Sequence, residues 1–161
     1  MFNEVILLLG SNLDEKSNVI KKAISLIKKR YAIKKISSEY ITEPWGFKSN
    51  NNFINVAVKL LCKDSAFELL EFVLKIERDL GRTRNASINY SDRIIDIDIM
   101  LFGNEIIETS NLVIPHCKLI ERRFCLLPMV EIASNMIIPN IKLTLEQALS
   151  KCEDKGEVIQ I

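Results

Sequence analysis

One histidine and four cysteines, Cys62, Cys117, Cys125 and Cys152, with no C-x-x-C pair among them, leave this 161-residue chain without the usual ligand set of a zinc site. The thiols read as ordinary reduced cysteines. An excess of one charge is missing too. The chain has 22 Lys and Arg against 21 Asp and Glu, a net charge of +1, which argues against a general nucleic-acid surface and confines anion binding to local clusters. No apolar run reaches the ~18 residues of a membrane span, and Phe2-Asn3-Glu4 after Met1 is not the cationic start of a signal peptide. The expectation is a cytoplasmic protein that binds neither nucleic acid nor membrane. No repeat, low-complexity tract or linker interrupts the chain, and 48% hydrophobic content can fill one core, so residues 1–161 are expected to form a single domain.

What is present starts with Val5 to Leu9, an apolar run that predicts a buried strand, with Gly10-Ser11-Asn12 as the turn after it. Asp14 can cap a helix whose apolar positions Val19, Ile20, Ala23, Ile24 and Ile27 recur at helical spacing. A second strand is expected over Ile33 to Thr42, followed by a long polar loop, Glu43 to Asn52. From Phe53 to Leu61 the pattern alternates, with Ile54, Val56, Val58 and Leu60 on one face and Phe53, Asn55, Ala57 and Lys59 on the other. Ser65 and Glu68 form a capping box for a helix that Gly81 should stop. After Phe102, Gly103-Asn104 makes a turn. A short helix near Leu126 to Ala133, with Pro128 in its first turn, and a last helix capped by Thr144 and Gln147 complete the chain. The order β-α-β-β-α-β predicts an α+β, ferredoxin-like sandwich. Its antiparallel sheet carries helices on one face and the active site on the other, with a C-terminal extension.

The chemistry concentrates in Arg93-Ile94-Ile95-Asp96-Ile97-Asp98-Ile99-Met100-Leu101-Phe102. As a strand, this run sets Asp96 and Asp98 on one face and Ile95, Ile97, Ile99 and Leu101 on the other. Two carboxylates one i, i+2 step apart repel, and a hard divalent cation such as Mg²⁺, which takes one or two carboxylates and fills its other positions with water and phosphate oxygens, resolves that repulsion. From the residues alone, three readings stay open: a phosphoryl-transfer enzyme, a nucleotidyl-transfer or cyclase-like domain with paired aspartates, and a non-catalytic binding module whose carboxylates form a wet sheet face.

Taken in order, Leu9-Gly10-Ser11-Asn12-Leu13, Tyr40-x-Thr42 with Phe53-Ile54-Asn55, Gly81-Arg82-x-Arg84, Arg93-x-x-Asp96-Ile97-Asp98-Ile99-Met100-Leu101-Phe102-Gly103, and Pro115-His116 followed by Arg122 and Phe124 resemble the 6-hydroxymethyl-7,8-dihydropterin pyrophosphokinase family over nearly the whole chain. The resemblance implies pyrophosphoryl transfer from ATP, as co-substrate, to a pterin alcohol in folate biosynthesis, releasing AMP. It implies two Mg²⁺ ions on Asp96 and Asp98, with Arg82 and Arg93 completing the catalytic set. ATP contacts are implied for Glu77, Arg82, Arg84, Arg93, Ile99, His116 and Arg122, and pterin contacts for Thr42, Glu43, Trp45, Phe53, Asn55 and Phe124. The partners would be these small molecules alone, and the protein a monomer. The segments Glu43 to Asn52 and Gly81 to Asp92 are expected to close over the substrates. Tyr90-Ser91-Asp92 departs from the family's usual tryptophan and Gly-Pro pair, and Asp92 would add negative charge near the phosphates, weakening nucleotide binding or resetting the loop. Cys117 stands where an aromatic residue is common, and Phe53 where tyrosine is.

Overall fold

The computed structural model describes residues 1–13, 15–83 and 91–161. The first apolar run forms β1 (Asn3–Ser11), which continues through Gly10 and Ser11 where a turn was expected. Helix α1 (Lys16–Lys28) buries Ile20, Ala23 and Ile27; Glu15, at φ 37°, occupies its N-cap without a side-chain bond, and Asp14 lies outside the described residues. The single strand expected over 33–42 is two, β2 (Ala32–Ile36) and β3 (Tyr40–Thr42). The break falls at Ser37, whose N–H donates to the Ala57 carbonyl at 2.9 Å while its hydroxyl oxygen accepts the Ala57 N–H at 2.9 Å.

Strand β4 (Phe53–Cys62) and helix α2 (Ala66–Asp79) follow, the helix opened by the Ser65–Glu68 capping box. Next come β5 (Asp96–Phe102), the β6 (Ile107–Glu108) and β7 (Val113–Ile114) hairpin, and α3 (Arg123–Ala133). Helix α3 begins three residues before Leu126, so Pro128 lies inside it rather than in its first turn. The early start is stabilised from a distance, because the Arg123 N–H donates to Asp154 Oδ2 at 2.9 Å. Strands β8 (Ile137–Ile138) and β9 (Leu143–Thr144) pair with each other before α4 (Leu145–Lys151), opened by the Thr144–Gln147 capping box, and β10 (Val158–Gln160).

The main sheet runs β10-β3-β4-β1-β5 with β2 also on β4, and every pairing is antiparallel. One face packs Val5, Leu7, Leu9, Val56, Val58 and Leu60 against α1 and α2. On the other face, Ile6, Leu8, Ala57, Met100 and Leu101 meet α3 and α4, so the C-terminal extension covers part of that face. The alternation of β5 slips once. Ile6 pairs with Leu101 and Leu7 with Ile99, which makes Met100 the extra residue of a bulge. Ile95, Ile97 and Ile99 therefore lie under the helices as the pattern predicts, but Leu101 joins Met100 in the opposite core, and Phe102 returns to the helix side.

Candidate functional site

Strand register builds the floor of the site. Gly10 pairs with Asn55 on one side and Asp96 on the other, and Leu8 pairs with Ala57 and Asp98. Paired residues share a face, so Asn55, Gly10 and Asp96 form one row across three strands, with Asn55 and Asp96 roughly 10 Å apart at ~4.8 Å per strand. Glycine suits the middle of the row, because a Cβ on Gly10 would lie 3.2 Å from Asn55 Oδ1, tighter than ordinary contact. Above it opens a cleft of about 320 Å³, with the acidic strand at one end and aromatic rings at the other.

At the acidic end, Asp96 is held through both oxygens. Arg82 Nη1 donates to Oδ1 at 2.5 Å and Arg93 Nη1 to Oδ2 at 2.8 Å. Arg82 is aimed by the end of α2. Gly81, at φ 97°, donates to the Arg78 carbonyl and Arg82 N–H to the Glu77 carbonyl, a Schellman ending that turns the chain toward the sheet. Glu77, implied by the resemblance as an ATP contact, is 1% exposed. Its Oε1 accepts the Ile97 N–H at 2.8 Å and pairs with Arg82 Nη1 at 2.8 Å, which satisfies an N–H on the outer edge of the edge strand β5.

Asp98, deeper in the cleft, has its carboxyl pushed up to about 8 by burial first, then by the negative charges of Asp96 and Glu77, against the pull of Arg122 and Arg93. Burial works to lower Arg82, but Asp96 and Glu77 outweigh it and hold the guanidinium above its usual value. Burial, and then the charge of Arg122, lowers His116, so the imidazole is neutral at pH 7. Its Nδ1 accepts the Lys118 N–H at 3.1 Å, which assigns the ring proton to Nε2 and makes that atom a donor.

At the ring end, Asn55 Nδ2 donates to Thr42 Oγ1 at 2.9 Å, leaving Asn55 Oδ1 as an acceptor beside Gly10. Phe47 meets the Phe53 ring edge-on at 6.2 Å, and the Arg93 guanidinium lies 5.5 Å from the same ring. The Arg122 guanidinium is stacked 4.2 Å over Trp45 and 5.7 Å from Phe124.

Of the residues singled out from the sequence, the cleft gathers Thr42, Glu43, Trp45, Phe53, Asn55, Arg82, Arg93, Asp96, Asp98, His116, Arg122 and Phe124. Glu77 does not line it, and the Ile99 side chain is in the core on the opposite face, so only the Ile99 backbone faces this side. Arg84 and Tyr90 lie outside the described residues. Leu8, Gly10, Phe47, Lys118 and Cys125 line the cleft without having been singled out for it, and exposed Cys117 lines it too. For Gly10 the signal was readable, since a lone glycine within an apolar strand marks a close approach.

Among the described residues, no group of three or more His, Cys, Asp or Glu could hold a metal ion. A pair of carboxylates suits Mg²⁺, which draws its remaining ligands from water and phosphate. Asp98, whose surroundings favour the proton, is the carboxyl that a cation would ionise.

A family model described as 7,8-dihydro-6-hydroxymethylpterin-pyrophosphokinase matches residues 6–134. A 2-amino-4-hydroxy-6-hydroxymethyldihydropteridine pyrophosphokinase of Bacillus subtilis is 38% identical over 138 residues, which cover 84% of this chain and 81% of that protein. Its namesake in Aquifex aeolicus is 36% identical over 143 residues, covering 89% and 88%. Among solved structures, Plasmodium falciparum HPPK-DHPS matches 94% of this chain with a TM-score of 0.71 at 14% identity. This chain spans 45% of that longer one, and the likeness is one of fold, the same antiparallel α+β architecture.

Proposed function

The chain belongs to the 7,8-dihydro-6-hydroxymethylpterin-pyrophosphokinase family, and on that premise we propose how its cleft carries out the family's reaction. It is a pyrophosphokinase of folate biosynthesis that transfers the pyrophosphoryl group of ATP to hydroxymethyldihydropterin. The observation that carries the detailed reading is the single row of Asn55, Gly10 and Asp96, which joins a ring slot to an acidic, cation-rimmed end.

The pterin ring lies against Phe53 and Phe124. Its amide-like edge meets Asn55 Oδ1, which the bond to Thr42 orients, and the backbone of Thr42, Glu43 and Trp45 at the loop. The triphosphate occupies the acidic end. Asp96 and Asp98 would hold two Mg²⁺ ions, which neutralise charge on the phosphates and orient them. Arg82 and Arg93 hold Asp96 through both of its oxygens and present guanidinium forks to phosphate oxygens, while His116 Nε2 and Arg122 add donors along the rim. The pterin hydroxymethyl oxygen attacks the β-phosphorus in line. The new bond joins that oxygen to the β-phosphorus, the bond from the β-phosphorus to the α-phosphate oxygen breaks, AMP leaves, and the hydroxyl proton passes to solvent.

Residues 1–161 are taken to work as one domain and as a cytoplasmic monomer on freely diffusing substrates. No helix of the described residues is long and apolar enough to cross a membrane. Incubation with ATP, Mg²⁺ and the pterin alcohol is expected to give AMP and pterin diphosphate in equal amounts. Release of ADP, or ATP consumption that does not depend on pterin, would defeat the proposal.

A further inference from the structure

Beside the cleft, three segments are knotted together by side chains. Asn12, at the end of β1 and 1% exposed, donates from Nδ2 to Asp92 Oδ1 at 2.7 Å and to the Asn51 carbonyl at 3.3 Å. Its own Oδ1 accepts the Arg93 N–H at 2.7 Å. The second oxygen of Asp92 accepts from Asn51 Nδ2 at 3.0 Å, and the Ser49 hydroxyl also bonds to this carboxylate. One carboxylate therefore ties the far end of the loop 43–52 to the residue before Arg93, whose guanidinium grips Asp96 and overlies Phe53. The near end of the same loop carries Trp45, stacked on Arg122, and Phe47, edge-on to Phe53. Asp92 itself does not line the cleft.

We infer that Asp92 is a positioning residue for the pterin. By pinning loop 43–52 to the start of β5, its carboxylate sets Trp45 and Phe47 as walls of the ring slot. Asp92 thereby acts on pterin affinity rather than on the nucleotide. The inference rests on the pterin reading of the slot. A loop already ordered before binding costs the ligand less to organise, and this pin needs an acceptor with two oxygens, because its donors come from two different segments. An alanine offers neither oxygen and an asparagine offers one.

The test compares Asp92→Ala and Asp92→Asn with the wild type. Trp45 is the chain's single tryptophan, so its fluorescence reports the loop directly. In Asp92→Ala without substrates, Trp45 emission is expected to shift to the red. Pterin KM is expected to rise roughly three- to tenfold, the effect of losing one or two charge-assisted hydrogen bonds at an exposed rim. The KM for ATP should stay within about twofold, and Asp92→Asn should recover part of the pterin KM. Unchanged emission overturns the inference, as does a shifted emission with unchanged pterin KM. An equal rise in both KM values, the mark of general loosening, overturns it too. If the wild type makes no AMP from the pterin, the functional reading fails, yet the emission comparison still decides whether Asp92 pins the loop.

Discussion

Replacing Asp98 with asparagine should stabilise the metal-free protein at pH 8 while abolishing its reaction. Asp98 has its carboxyl pushed up to about 8 from an ordinary 3.8. Between those values the folded protein keeps a proton that the unfolded chain has released, so stability falls as pH rises from about 4 to 8. The full excursion would be on the order of 6 kcal/mol at ~1.4 kcal/mol per pH unit. Asp98 is partly open to the water of the cleft, which screens its neighbours, so about half of that, ~2–3 kcal/mol, is the expected effect. For a chain of this length, that lowers the melting temperature by roughly 5–10 °C. Thermal unfolding followed by circular dichroism in chelator, from pH 5 to 8, should therefore show wild type losing stability relative to Asp98→Asn. Mg²⁺ with ATP should recover the loss at pH 8 in wild type only, because a bound cation supplies the missing countercharge. Parallel melting curves for the two proteins across this range would refute the reasoning.

Phe124→Ala removes one stacking face and the ring beside Arg122, and should raise pterin KM about tenfold, ~1.4 kcal/mol, with a smaller change in ATP KM. Equal changes in both, measured by steady-state kinetics, would count against the ring slot. Burial and the charge of Arg122 lower His116 below its ordinary value, so the KM for ATP should show no inflection from this group on the alkaline side of neutrality. An inflection that His116→Asn removes would contradict the assignment. Ser65→Ala breaks the capping box of α2 and should cost about 1 kcal/mol, read as a melting temperature lower by roughly 2–4 °C with kinetics unchanged.

Much of the fold was legible because apolar periodicity is a local signal. The inward face of α1, the alternation of β4 and both capping boxes follow from residues near one another in the chain. What was not legible depends on partners far away. The early start of α3 depends on Asp154, thirty-one positions from Arg123. The slip at Met100 depends on how β5 meets β1, and the split at Ser37 on Ala57. In the site, the carboxylates, the cations and the ring residues could be named from motif order. That Asn55 and Asp96 lie in one row needed strand register, and with it came the reason for Gly10. Asp92 illustrates the limit most clearly. From the sequence it is a negative charge near phosphates, yet in the fold three side chains from two segments hold it outside the cleft.

The account depends on one strand-spanning row that binds a phosphate chain at its acidic end and a flat ring at its aromatic end. A crystal structure of the protein with Mg²⁺, a non-hydrolysable ATP analogue and the pterin alcohol tests this most directly. It should place metal on Asp96 and Asp98, and the pterin between Phe53 and Phe124 with its edge on Asn55. Metal and phosphates lying away from both aspartates, or a pterin bound outside that slot, would contradict it.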